Sequence, residues 1–172
     1  MYKRIFSPPK NSSYFLFGPR GTGKSSFVQS MYETATFVDL LEDRIYRTLL
    51  VDPQRHTDYL PTVSVKNPTS PQIIVIDEVQ KVPALLDEVH RLIEKKKYLF
   101  VLTGSSARKL KRTGTNLLAG RALTCSFCPL TRAELGEDFN LQRALKFGLL
   151  PMSVTASNPK EFLESYKNSY LN

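Results

Sequence analysis

The feature that most restricts this chain is one octapeptide, Gly18-Pro19-Arg20-Gly21-Thr22-Gly23-Lys24-Ser25, lying between an apolar run and a helical pattern. It satisfies G-x-x-x-x-G-K-[ST] at every fixed position. Tyr14-Phe15-Leu16-Phe17 before it read as a buried strand, and Lys24 to Met31 after it read as a helix. Gly21 and Gly23 let backbone N–H groups curl around phosphate oxygens, where a side chain would block the approach. The helix starting near Lys24 turns its positive end toward the same anion. Lys24 then supplies an ammonium to β- and γ-phosphates, and the Ser25 hydroxyl supplies a ligand for Mg²⁺. The run Gly18, Pro19, Arg20, Gly21, Thr22, Gly23, Lys24, Ser25 and Ser26 is therefore expected to hold a nucleotide.

The remaining pattern fits that setting. Thr36 to Leu40 reads as a second strand and Asp43 to Leu50 as a helix, stopped by Asp52-Pro53. Pro61, Pro68 and Pro71 keep any regular structure between residues 57 and 72 brief. Ile73-Ile74-Val75-Ile76 is apolar on both faces, as a central parallel strand should be. Pro83 opens a helix through Lys95 with Leu85, Leu86, Val89, Leu92 and Ile93 on one side. Tyr98 to Leu102 and Ala122 to Phe127 read as further strands, and Glu137 to Phe147 and Pro159 to Tyr170 as helices. Strands alternating with helices predict an α/β fold, a three-layer αβα sandwich on a parallel five-stranded sheet. A partial helical segment follows. We expect a core over residues 1–135 and the start of a helical lid or linker over 136–172. The chain stops on a helical pattern, so a truncation is expected, with a strip around Phe162, Leu163 and Tyr166 left for the missing part.

A hydrophobic strand ending in Asp77-Glu78 is the second half of the argument. Asp77 suits a Mg²⁺ ligand, and Glu78 suits a general base orienting water toward the γ-phosphate. The competing reading is an acidic pair stabilised by the dipole of the following helix. Thr103-Gly104-Ser105-Ser106 sits at the carboxyl end of another strand, where α/β sheets place ligand groups. Either Thr103 or Ser105 contacts the attacking water or the γ-phosphate, or Ser105 or Ser106 caps the next helix. The sequence leaves both readings open.

Lys and Arg number 24 against 16 Asp and Glu, a formal +8 that suits an anionic partner: nucleotide, nucleic acid or an acidic protein face. The run Arg108-Lys109-Leu110-Lys111-Arg112 is either a nucleic-acid patch or a solvated helix face. Cys125 and Cys128 are too few for a disulfide framework or a four-ligand zinc site, so reduced thiols are expected. His56 and His90 read as surface residues. No apolar run approaches the roughly 18 residues of a membrane span, and no signal peptide is evident. A soluble, cytoplasmic chain with no membrane partner is expected.

The segments GPRGTGKS, IIVIDEVQKVPALLDEVHRLI, FVLTGSSARKL and LLAGRALTCSFCPLTRAEL, in this order, resemble prokaryotic AAA+ ATPase domains, over about residues 12–170. The resemblance implies an ASCE-type P-loop NTPase core with the Thr103 strand between the P-loop strand and the Asp77-Glu78 strand. It implies ATP with Mg²⁺ rather than GTP, since no N-K-x-D segment occurs. It implies a continuation into a winged-helix and restriction-endonuclease-like region. Arg121, after the Leu-Leu-x-Gly turn, falls where such domains keep an arginine: an arginine finger in cis or across a homo-oligomer boundary, or a surface residue at a strand start. The leading expectation is an ATPase hydrolysing ATP to ADP and phosphate to drive or switch an attached domain. A nucleotide-dependent switch with negligible turnover and a small-molecule kinase are the alternatives.

Overall fold

Strands that are apolar on both faces must be covered on both sides, and parallel neighbours need a crossover rather than a hairpin between them. The computed structural model, which describes residues 2–59, 71–95, 98–112 and 118–170, meets both conditions. Five strands, β1 (Ser13–Phe17), β2 (Thr36–Asp39), β3 (Gln72–Asp77), β4 (Tyr98–Gly104) and β5 (Ala122–Ser126), form one sheet in the order β2-β3-β4-β1-β5. Every neighbouring pair is parallel. The crossovers carry α1 (Lys24–Met31), α2 (Asp43–Val51), α3 (Leu85–Glu94) and α4 (Ala107–Arg112). The fold is therefore α/β with a five-stranded parallel sheet and flanking helices, as the sequence pattern predicts. The Thr103 strand lies between the other two site-bearing strands, as the resemblance implies.

One sheet face offers Phe15, Phe17, Val38, Ile74, Ile76, Phe100 and Leu102 to Ile45 and Leu49 of α2 and to Leu85, Leu86, Val89 and Leu92 of α3. Tyr14, Leu16, Val75 and Val101 point to the other face and are buried as well, as are Phe27 and Val28 of α1. The hydroxyls of Tyr14 and Tyr32, 3.1 Å apart, tie β1 to the chain just after α1. Burying each large apolar side chain contributes roughly 1.5–3 kcal/mol, so this two-sided core dominates the stability.

By its contacts the chain divides into two compact units. One is Pro8–Gly18 with Lys24–Ser126 and contains the sheet. The other is Met1–Ser7, Pro19–Gly23 and Phe127–Asn172, and contains α5 (Arg132–Leu135), α6 (Leu141–Phe147), α7 (Pro151–Thr155) and α8 (Pro159–Tyr170). In this second unit Thr131 and Glu134 form a reciprocal capping box at the start of α5.

Several expectations are corrected. The helix expected from Glu137 starts only at Leu141: Gly136–Asp138 form a 3-10 turn, and the Asn140 side chain caps α6 by accepting from the N–H of Arg143 at 2.9 Å. The helix expected from Pro83 begins at Leu85, because the N–H groups of Leu85 and Leu86 reach Val82 and Pro83 in turn-type bonds. Helix α7 lies where the sequence pattern predicts no helix, with Pro151 as its first residue. Phe162, Leu163 and Tyr166 are half-buried rather than an exposed strip. His56 is no surface residue: it is 1% exposed in a 3-10 turn, its Nδ1–H donating to the Pro53 carbonyl at 2.9 Å. In the basic run Arg108 is exposed, while the side chains of 109, 111 and 112 lie outside the described residues, as do residues 60–70.

Candidate nucleotide site

The register that pairs Ile76 with Leu102 puts the next residues, Asp77 and Thr103, side by side at the carboxyl ends of β3 and β4. Thr103 is fully buried, and its hydroxyl donates to Asp77 Oδ1 while accepting from the N–H of Glu78 at 3.2 Å. Glu78 itself has left-handed backbone (φ 59°, ψ 44°), costly for a residue with a Cβ. The bond from its N–H to Thr103 and the bond from the Lys81 N–H to its carbonyl, at 2.9 Å, hold it there. Its carboxylate is engaged in turn, since Gln80 Nε2 donates to Oε2.

Gln80 is the residue that sequence reasoning missed here. It is buried with Oε1 unpartnered, and it fits because position 104 is glycine: a Cβ there would lie 2.5 Å from that Oε1 and 3.2 Å from Phe17 Cε1. A polar residue two positions after a carboxylate has no signal of its own in sequence; only its burial marks it.

Beside this group, Gly18 N–H donates to the Gly104 carbonyl at 3.3 Å, carrying the β1–β4 pairing into the start of the loop. Lys24 is only 5% exposed, and its ammonium donates to the Gly18 carbonyl at 2.7 Å. Burying an ammonium demands such a partner. Ser25, half-buried, is the second residue of α1, and Ser26 beside it is exposed. Gly18, Lys24, Ser25, Asp77, Glu78 and Thr103 thus share one end of one sheet.

Loop residues 19–23 belong to the second unit. Gly21 and Gly23 both have positive φ, 75° and 86°, which explains glycine at each. Thr22 is buried, its hydroxyl donating to the Pro19 carbonyl at 2.9 Å, while Pro19 and Arg20 are exposed.

One predicted residue stands elsewhere. Arg121 precedes β5, at the amino-terminal end of the sheet, and pairs with Glu94 at the end of α3. The hydrogen bond and charge of Arg121 hold the Glu94 carboxyl below its ordinary range. The structure does not bring Arg121 to Lys24, Asp77 or Thr103. Ser106 accepts from the Arg108 N–H at 3.2 Å, the capping role, and Ser105 is half-buried beside it. A cavity of about 700 Å³ lined by residues including Thr34, Thr36, Gln72 and Ile73 also lies at the amino-terminal strand ends, away from this group.

A family model described as AAA domain matches residues 10–136. No curated protein matches the sequence. Among solved structures, the Aeropyrum pernix Orc1 protein in complex with DNA is similar, at 16% identity and a TM-score of 0.45. The match covers 74% of this chain and 42% of that one, so this chain spans less than half of that protein's length.

Proposed function

We propose that this chain, which belongs to the AAA domain family, binds ATP with Mg²⁺ at residues 18–26 and hydrolyses it with Glu78 as general base. The observation that carries the reading is the buried relay at the ends of β3 and β4. Thr103 bonds both Asp77 and the backbone of Glu78, and Gln80 bonds the Glu78 carboxylate. Such a chain of contacts fixes two carboxylates relative to each other, which an accidental acidic pair at a helix start would not need.

The Ser25 hydroxyl and the Asp77 carboxylate are hard oxygen donors of the kind Mg²⁺ takes, and they would hold it together with phosphate oxygens and water. When bound, the ion neutralises phosphate charge. Lys24 exchanges the uncharged Gly18 carbonyl for anionic β- and γ-phosphate oxygens, an ion pair in place of a bond from an ammonium to a neutral acceptor. Glu78 accepts the proton of the attacking water. The water oxygen bonds to the γ-phosphorus, and the bond from that phosphorus to the bridging oxygen breaks, leaving ADP and phosphate. Thr103 acts by keeping Asp77 and Glu78 in place.

The position of Arg121 supports slow turnover by the isolated chain, below the roughly 1 s⁻¹ at the low end of usual enzyme rates. ATP binding then serves mainly as a switch for an attached domain or a second copy. The kinase alternative finds less support, because the Asp77-Glu78 pair favours water as acceptor.

The test is calorimetry with ATP and single-turnover hydrolysis on the parent chain and two variants. Lys24→Ala should weaken binding at least tenfold, the equivalent of roughly 1.5–3 kcal/mol for a hydrogen bond to a charged group. Glu78→Gln should bind as the parent does while hydrolysis falls by roughly 10²–10⁴. Unaltered affinity in Lys24→Ala refutes the nucleotide assignment, and parental hydrolysis in Glu78→Gln refutes the base.

A further inference from the structure

A phosphate-binding loop works through its N–H groups, so its carbonyls must be directed away from the anion. In a trans peptide the carbonyl and the N–H of the following residue point in opposite directions. Whatever holds a loop carbonyl from outside therefore aims the next N–H inward. Two side chains do this here, and both come from far away in sequence.

Arg4 Nη1 donates to the Thr22 carbonyl at 2.8 Å. The Tyr166 hydroxyl, on α8, donates to the Arg20 carbonyl at 3.0 Å. The peptide units so gripped are those whose N–H groups belong to Gly23 and Gly21, the two positive-φ glycines of the loop.

Both donors are themselves held. The Arg4 side chain is 9% exposed and its guanidinium lies over the Phe127 ring, 4.0 Å from the centroid. Its Nε donates to Glu134 Oε1 at 2.9 Å, and Nη2 donates to the Cys128 carbonyl at 2.6 Å. Glu134, whose side chain is 2% exposed, also accepts from the N–H groups of Ile5 and Thr131. Every arm of this guanidinium is thus directed, which a merely solvated arginine does not need. The Tyr166 ring packs against Phe162 and Tyr170, with centroids 6.0 and 4.9 Å away, and would touch a Cβ on Gly21 at 3.7 Å. Arg20 lies with its guanidinium 4.9 Å from the Tyr170 ring centre, a second link between the loop and α8.

We propose that Arg4 and Tyr166 are positioning residues for the phosphate loop, fixing the Gly23 and Gly21 amides in the orientation that a nucleoside triphosphate's phosphate oxygens require. The inference rests on the nucleotide reading given above and extends it: the amino-terminal segment and α8 belong to the binding apparatus without touching ligand. Loop order is prepaid by these two bonds, so less ordering remains when the nucleotide arrives.

Tyr166→Phe removes only the donor and keeps the ring, so it leaves the aromatic contacts of α8 in place. Arg4→Lys keeps the charge but cannot span Glu134, Thr22 and Cys128 at once. The experiment follows ATP affinity by calorimetry and the amide resonances of Gly21 and Gly23 by ¹⁵N NMR, on the full 172-residue chain without nucleotide and then with ATP. Tyr166→Phe should weaken ATP about fivefold, the worth of one neutral hydrogen bond. It should displace or broaden the Gly21 amide resonance while the Gly23 resonance holds. Arg4→Lys should do the reverse to the two resonances and weaken ATP about tenfold or more, as a charge-assisted bond is lost. A role confined to stability would lower the unfolding midpoint and leave the resonances of the folded chain, and its affinity, where they were. That result overturns the proposal while the nucleotide reading stands. Absence of ATP binding in the parent overturns both.

Discussion

Replacing Thr103 by Val is the sharpest probe of how the site is held together. The two side chains have nearly the same shape, so packing changes little, and what disappears is one hydroxyl that both donates and accepts. Its loss leaves Asp77 Oδ1 without its donor and the Glu78 N–H without its acceptor. Asp77 is only 8% exposed, so water replaces Thr103 poorly at that oxygen. A bond to a charged group contributes about 1.5–3 kcal/mol, and an unsatisfied buried N–H costs about 1–3 kcal/mol. Against these, the added buried methyl returns roughly 0.8 kcal/mol. The net expectation is a loss of about 3 kcal/mol, small enough for a domain of ordinary stability, about 5–15 kcal/mol, to remain folded. Urea unfolding at neutral pH measures it, with Thr103→Ser as the companion that keeps the hydroxyl and should lose only about 1 kcal/mol. Thr103→Val also frees Glu78 from its left-handed geometry, so single-turnover hydrolysis should fall about tenfold or more, one decade for each 1.4 kcal/mol of lost transition-state positioning. If Thr103→Val is as stable as Thr103→Ser, the hydroxyl does not bridge Asp77 and Glu78 and the relay is refuted.

Gly104→Ala should act on Glu78 from a distance. Its Cβ would meet Gln80 Oε1 at 2.5 Å, driving the amide off the Glu78 carboxylate, so hydrolysis should drop while ATP affinity measured by calorimetry holds; unchanged turnover would show that Gln80 does not hold Glu78. The second expectation concerns acid. Burial pushes the His56 pKa down, against smaller upward pulls from its bond to the Pro53 carbonyl and from the Glu88 carboxylate, with Arg91 on the same helix opposing. A histidine whose folded pKa is depressed binds fewer protons folded than unfolded, so its contribution is complete above the unfolded value of about 6.5 and is lost as pH falls below it. Urea midpoints at pH 7.5 and 5.5 should differ in the parent and converge in His56→Phe; an equal fall in both would put the acid sensitivity elsewhere.

Much of the fold was readable because its signals are local. An all-apolar run such as Ile73–Ile76 suits a central parallel strand covered on both faces, and a Gly-rich loop between strand and helix carries its own backbone conformation. Lys24, Ser25 and the Asp77-Glu78 pair stand out in the sequence for the same reason: each lies where a local strand or helix pattern ends or begins. The expected and observed ends of α8, Pro159 and Tyr170, coincide because a proline at a first helical position needs no N–H partner and already has helical φ. The start of α6 was not found, because a 3-10 turn and an Asn140 cap compete within a pattern that reads as continuous helix.

What the sequence alone determined is the alternation of strands and helices and the glycine-rich loop between β1 and α1; tertiary structure decided which distant groups meet around them. Thr103 and Ser105 were equal candidates until strand register set Thr103, the last residue but one of β4, beside Asp77, while Ser105 lies past the end of that strand. Arg121 stands at the other end of the sheet from Asp77 and Thr103, being before β5 rather than after it. His56 is buried among residues its own neighbourhood does not announce. Gln80 has meaning only against Gly104, 24 positions on, and Tyr166 only against Arg20, 146 positions away. Hydrogen bonds between such partners depend on distances of a few ångströms that folding creates, and no spacing in the sequence encodes them.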